Sequence, residues 1–430
     1  MANFRGELLL ADGNAPCGAE RLIQFTLRLK VGETTEKCRT DRRGKMSGPM
    51  IYLDHLASTP VAERVVEAMQ TSLVANYANP HAAHGPAWQA HDEIALAAGR
   101  VAALIGADVG EITFTSGASE ANNYAIKGVA FAGRGRGSHL IISAVEHACV
   151  LATARWLERQ GFDITIVQPD ANGIIHAAAV ASAIRTETIL VSVQLANNEV
   201  GSIQPIAEIA KHCRQNAVPM HCDAAQAIGK IPVDVTSLGI DLLSISGHKF
   251  YGPKGIGALW IASDCPIRPE PLIHGGGQQG GRRSGTVPTF LCSGLGVAAD
   301  MATQWLTDDQ DVPTIRASSF LAVLQESHVG FVENAADVAR IPGCLSLRFP
   351  GACAQDVLDR LEGLVAASTG AACSAGNAEP SHVLRAMGLS DTEAAETVRF
   401  GFGRSTTENE AEAAAKAIVE AVQTARRRAA

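Results

Sequence analysis

The sequence predicts an α/β protein with a large domain on a mostly parallel sheet and a smaller α+β domain towards the C-terminus. Three observations carry this. From residue 88 onward, short β-rich runs alternate with helical segments. Those runs are continuously apolar and do not alternate with polar residues, the mark of strands buried on both faces under helices. After about residue 305 the pattern changes to strands of period two followed by helices.

The elements follow in order. Residues 1–49 show little periodicity and end in a stretch with Arg39, Arg42, Arg43 and Lys45. They are expected to be a flexible extension, with Met46 or Met50 as an alternative start. A short strand, Ile51-Tyr52-Leu53-Asp54, comes next, then helical periodicity from Val61 to Leu73. The β-rich runs are Glu111–Phe114, Leu140–Ile142, Ile164–Val167, Ile189–Val193, Asp241–Ile245 and Ile256–Trp260, and helical patterns such as Val150–Gln160 and Ile206–Gln215 lie between them. Cys344–Phe349 and Thr397–Phe402 alternate in polarity, with helices expected over 354–362 and 408–426. No internal repeat or low-complexity tract is visible.

Composition narrows the function. The chain has 430 residues, 47% of them hydrophobic and 19% charged, a globular balance. A net charge of −8 gives no basic field for a phosphate backbone, so nucleic acid is not expected as a partner. No apolar run reaches the roughly 18 residues a membrane span needs, and Leu8-Leu9-Leu10, flanked by Glu7 and Asp12, is too short for a secretion signal. A cytoplasmic location without membrane contact is expected. None of the ten cysteines sits two to four residues from another, so no metal site is expected. Most of them read as small buried hydrophobes.

In open α/β sheets, ligands bind beyond the carboxyl ends of the strands. After Phe114 comes Thr115-Ser116-Gly117-Ala118-Ser119, which opens a helix whose backbone N–H groups suit a phosphate, though Ser119 reads equally as an N-cap. After Ser143 comes His147, either a satisfied polar group or a ring that stacks on a flat cofactor. Asn197 and Asn198 follow Val193, an amide pair able to hold a carboxylate. Asp223 and Gln226 follow Met220 and read either as a capping box or as an acid placed to meet a protonated ring nitrogen. After Ile245 come Ser246, His248 and Lys249. A lysine there sits near the cleft, where burial lowers its pKa and makes it a Schiff-base nucleophile. Lys254, in Gly-Pro-Lys-Gly, reads as part of a turn. Taken in order, these groups would serve a cofactor with a phosphate, a pyridine nitrogen and an aldehyde, which describes pyridoxal 5'-phosphate.

The sequence here resembles the cysteine desulfurases, in the class V branch of the fold-type I pyridoxal-phosphate enzymes. The likeness runs from Ile51 to the last helix. It rests on Phe114-Thr-Ser-Gly-Ala-Ser-Glu-Ala-Asn-Asn, Val145-Glu-His147, Ala196-Asn-Asn-Glu-Val-Gly-Ser-Ile-Gln-Pro205, Ser246-Gly-His-Lys-Phe-Tyr-Gly-Pro-Lys-Gly, Gly275-Gly-Gly-Gln278, Arg283-Ser-Gly-Thr286, Thr369-Gly-Ala-Ala-Cys373, Ser381-His-Val-Leu-Arg-Ala-Met-Gly388 and Arg399-Phe-Gly-Phe-Gly-Arg-Ser-Thr-Thr407.

The resemblance implies a seven-stranded sheet and a division into an arm at 50–60 that joins the small domain, a large cofactor-binding domain at 61–305 and a small domain at 306–430. It also implies roles. Lys249 would carry the cofactor through its amine, Asp223 would pair with the ring nitrogen, His147 would stack on the ring and Gln226 would bond its phenolic oxygen. Ala118, Ser119, Ser246 and His248 would bind the phosphate. Thr286 would complete the cup from a neighbouring subunit, which implies a homodimer. Asn198 and Arg399 would hold the carboxylate of L-cysteine, and Cys373 would accept its sulfur. An iron–sulfur scaffold or a sulfur carrier protein would then take that sulfur. Independently, residues 366–378 contain no large side chain, which suits either a tightly packed turn or a mobile loop presenting one thiol.

Five features depart from the family's usual pattern or bear on its partners. His55-Leu56 stands where the family has two asparagines. Ser119 replaces threonine, and His81-Ala82 replaces a serine pair. Pro380 follows Cys373 closely, as in the subgroup used for iron–sulfur assembly, and the chain ends without the tail some members use for docking. A selenocysteine lyase is the alternative on the same scaffold, and a non-catalytic docking protein a more distant one.

Overall fold

The computed structural model describes residues 50–370 and 380–429. The expectations for residues 1–49 and for Cys373 lie outside the described residues.

A seven-stranded sheet forms the centre. Its strands are β2 (Ile112–Thr115), β3 (His139–Ser143), β4 (Asp163–Val167), β5 (Thr188–Ser192), β6 (Met220–Asp223), β7 (Leu242–Ser246) and β8 (Gly257–Ile261), and β1 (Ile51–Tyr52) stands apart from it. The order across the sheet is β2-β8-β7-β6-β5-β3-β4. Only β8 is antiparallel to its neighbours, pairing Ala258 with both Phe114 and Ile245. Because β2 and β7 both oppose β8, they run in the same direction as β3, β5 and β6. β4 is parallel to β3, so the carboxyl ends of six strands open on one edge of the sheet.

The continuous apolar runs have the expected cause. Every residue of β2, β3, β5, β7 and β8 is buried, whereas β4, at the edge, exposes Asp163 and Ile166. Periodicity does not reveal β6, because its sequence is Met-His-Cys-Asp. Its His221 is nevertheless fully buried, since both ring nitrogens are satisfied across the sheet, by Ser192 Oγ at 2.8 Å and Ser244 Oγ at 2.9 Å.

A second, antiparallel sheet has the order β12-β10-β9, with β9 at Val332–Glu333, β10 at Cys344–Arg348 and β12 at Thr397–Gly401. Helices Val312–Glu326, Ala354–Arg360 and Glu408–Ala429 pack with it around a separate apolar core that includes Phe320, Phe349 and Phe400. The Phe320 and Phe400 rings meet at 4.9 Å between centroids. Residues 51 and 52 pair in parallel with β11 (Val365–Ala366). Leu53 belongs to this second core, but Leu56, three residues on, belongs to the first. The chain between them thus crosses from one core to the other, and its backbone faces the carboxyl edge of the large sheet.

Candidate active site

The site is built from the turns that leave that edge. Beyond β2, Gly117 has φ +149°, a conformation that side chains disfavour, and begins helix Ala118–Ala132 with no side chain capping it. The first-turn amides of Ala118 and Ser119 have no intrahelical acceptor and point at whatever lies beyond the helix end. A Cβ on Gly117 would come within 4.0 Å of Ser246 Oγ, so the end of β7 closes the same space. His248, next along, lies 3.2 Å from Ser58 Oγ. Burial and the positive Lys249, Lys254 and Lys230 push its pKa down to about 4, so it is neutral at physiological pH. This uncapped helix end beside a serine and an imidazole suits a phosphate monoester.

At the end of β6, Asp223 is buried and held from two sides. Its Oδ2 accepts from the Asn122 side chain at 2.7 Å, and its Oδ1 from the Ala225 amide at 2.9 Å. The Asn122 amide also lies 3.3 Å from Cys149 Sγ, which is 3.1 Å from His147 Nδ1. Nδ1 further accepts the Cys149 backbone N–H at 3.2 Å. Neutral His147 therefore carries its proton on Nε2. Asp223, Asn122, Cys149 and His147 form one connected chain, and sequence reasoning placed only its two ends.

Gln226 does not close a capping box. Its Nε2 donates to the Leu56 carbonyl at 2.7 Å, and Lys249 Nζ donates to the same carbonyl at 2.8 Å and to that of Ala57 at 2.9 Å. The structure so brings together two of the expected residues on the segment that crosses between the cores. Behind them is Lys230, which the sequence did not single out. Its amine reaches the Gln226 carbonyl at 3.1 Å and the Lys249 carbonyl at 3.2 Å. Burial first, then the charge of Lys249, lower its pKa to about 7. His55 fills the family's asparagine position as a buried ring edge-on to Tyr52, its pKa lowered to about 4 chiefly by burial.

Arg399 lies on β12 with its side chain 3% exposed. It donates to Asp54 Oδ1 at 2.7 Å, Ser368 Oγ at 2.8 Å and the Asn198 carbonyl at 2.9 Å, and its buried Nε has no partner among the described residues. Asn198 thus touches Arg399 through its backbone. The neighbouring Asn197 is structural, its side chain accepting from the amides of Glu199 and Val200 and donating to the Val145 carbonyl. Glu146 is fully buried; one of its oxygens accepts from Ser143 at 2.5 Å and from the Gln194 amide at 2.8 Å. Burial pushes its pKa up to about 8.

Thr286 is not part of this cluster. It is exposed and lines a separate concavity with Ser72, Leu73, Tyr77, Asn79 and Phe290. No group of three or more potential metal ligands occurs among the described residues.

An anion cup, a buried acid and a lysine amine on one sheet edge fit a phosphorylated pyridine aldehyde. The chain matches the aminotransferase class-V family over residues 51–413 and belongs to it. Its cofactor is accordingly pyridoxal 5'-phosphate. Among curated relatives, it is 44% identical over 378 residues to cysteine desulfurase IscS of Rickettsia akari, covering 88% of this chain and 92% of that one. It is 43% identical over 404 residues to the human cysteine desulfurase, covering 92% and 88%. A solved NifS-like protein superposes with a TM-score of 0.81 at 33% identity, over 87% of this chain and 100% of the other. SspA, solved in complex with cysteine, gives a TM-score of 0.73 at 41% identity, over 82% and 99%.

Proposed function

We propose that this protein is a pyridoxal-phosphate-dependent cysteine desulfurase that converts L-cysteine to L-alanine and moves the sulfur to Cys373 as a persulfide. The observation that carries the reading is the 44% identity to a curated cysteine desulfurase over 88% of the chain.

The site's own groups support it. When bound, the cofactor supplies an electron sink for the charge that develops at the substrate Cα. The uncapped amides of Ala118 and Ser119, with Ser246 and His248, would hold its phosphate. Asp223, kept in place by Asn122, would meet the ring nitrogen and keep it protonated. His147, fixed by Cys149, would present its Nε2–H side, and Gln226 would reach the phenolic oxygen. Lys249 Nζ would anchor the cofactor and then take the Cα proton of the substrate. Arg399, whose buried Nε has no partner among the described residues, and Asn198 would hold the substrate carboxylate.

The Cys373 thiolate would attack the substrate sulfur as the carbon–sulfur bond breaks. The bonding pair goes to carbon, which is protonated and leaves as alanine, while Cys373 keeps the sulfur. A protein thiol of an iron–sulfur scaffold or sulfur carrier would then accept it. The protein would act as a homodimer, with the partner contributing Thr286. Leu73 at 53% and Tyr77 at 78% exposure, in the concavity beside Thr286, form an apolar surface that a second copy would cover. A reducing cytoplasm fits the seven cysteines that are free among the described residues, and no helix among those residues is long and apolar enough to cross a membrane.

The test is an assay of alanine and sulfide from L-cysteine with a thiol reductant present. Stoichiometric release of both is expected. Absence of alanine from cofactor-loaded enzyme would overturn the reading.

A further inference from the structure

We propose that Lys230 is a positioning residue that ties the Gln226 amide to the Lys249 backbone, so that Gln226 turns an N–H and not its oxygen to the cofactor's phenolic oxygen. This deepens the reading of Gln226 and Lys249 as cofactor groups and rests on it.

Lys230 lies four residues beyond Gln226, on the turn that leaves β6. The Ala227 amide donates to the Ala224 carbonyl at 2.9 Å, and the Lys230 amide to the Ala227 carbonyl at 3.0 Å. Gly229 has φ +72°, a left-handed conformation that glycine adopts at no steric cost. The half-buried Lys230 side chain folds back over this turn. Its amine donates to the Gln226 carbonyl at 3.1 Å, to Gln226 Oε1 at 3.3 Å and to the Lys249 carbonyl at 3.2 Å. Three oxygens thus meet the three N–H groups of an ammonium.

The consequence falls on Gln226. A side-chain amide has one oxygen and two N–H groups, and its two ends are nearly alike in shape. Here Oε1 is committed to Lys230, and one N–H of Nε2 to the Leu56 carbonyl at 2.7 Å. The second N–H is the one left for a ligand. Lys249 Nζ donates to the same Leu56 carbonyl at 2.8 Å, so the amide stands beside the amine that would carry the cofactor.

The charged and titratable groups that face Lys230 are Lys249, Cys344 and Arg404, and its own charge reaches His55 and His248. Burial and then Lys249 lower its pKa to about 7, Cys344 opposes them and Arg404 adds to them. A neutral amine still donates two N–H groups, so the hold on Gln226 outlasts that proton.

A donor at the phenolic oxygen stabilises its negative form. It thereby weakens the hold on the proton shared between that oxygen and the nitrogen of the lysine link. Without Lys230 the amide can turn its oxygen towards the phenolate, and the proton is held more tightly.

The experiment is a pH titration of the visible absorbance of the lysine-bound cofactor in the resting protein, without cysteine. It compares wild type, Lys230→Met, Gln226→Met and the double variant. Each single variant should raise the midpoint by about one pH unit, a tenfold change in proton affinity. The double variant should stay within about threefold of Gln226→Met, because both changes act through one amide. Lys230→Ala replaces Lys230→Met should the latter fail to fold. An unchanged midpoint in either single variant would overturn the proposal. Additive shifts would overturn it too, since Lys230 would then act by its charge alone. An absorbance that survives Lys249→Ala is a separate outcome: it would overturn the attachment to Lys249, and this proposal with it.

Discussion

Arg399 and Asp54 form a 2.7 Å ion pair in which the arginine is almost wholly buried, so the group proposed to grip the substrate carboxylate is locked in direction before substrate arrives. Ser368 and the Asn198 carbonyl complete the lock. A guanidinium held by three hydrogen bonds presents its remaining N–H groups with little entropy left to lose. Arg399→Lys keeps the charge but not the fork. Steady-state kinetics should show KM for L-cysteine rising about 10- to 100-fold, the equivalent of one charge-assisted hydrogen bond. An unchanged KM would place the carboxylate elsewhere.

Lys249→Ala should remove the visible absorbance of the lysine-bound cofactor and abolish turnover. Persistence of that absorbance would assign the attachment to Lys254 or to the half-buried Lys230.

Much of this arrangement is legible in the sequence because each strand end carries its own local motif. Lys249, Asp223 and His147 stand out in that way, and the buried strands announce themselves by unbroken apolar runs. Asn122 is different. It stands within the motif that begins at Phe114, but its partner Asp223 is 101 residues away in sequence, so their pairing does not show there. Lys230 is likewise visible only once the Gln226 and Lys249 carbonyls converge on it. β6 escapes periodicity because its histidine is paid for by hydroxyls on two neighbouring strands.

The pKa of Glu146 gives a stability prediction. It is raised from an ordinary 4.5 to about 8, so between these values the folded protein holds a proton that the unfolded chain has lost. Its contribution is fully present below about pH 4.5 and is lost as pH rises through 8. Glu146→Gln cannot titrate. Thermal melts from pH 5 to pH 8.5 should show the wild-type Tm falling relative to that of the variant. Parallel curves would refute the burial argument.

The second core should depend on its aromatic centre. Phe320 is fully buried against Phe400 and Phe402. Phe320→Ala should cost about 3–5 kcal/mol in denaturant unfolding, the usual range for a large aromatic removed from a core. A loss under about 1 kcal/mol would mean that the site collapses to fill the space.

Cys373→Ala, assayed for alanine release from L-cysteine beside the wild type, tests the central claim most directly. The wild type should release alanine and gain one sulfur, about 32 Da, on the peptide that contains Cys373. The variant should still bind L-cysteine, shown by a shift in the cofactor spectrum, yet release no alanine. Alanine release at the wild-type rate would contradict the persulfide route and favour a lyase that needs no protein thiol.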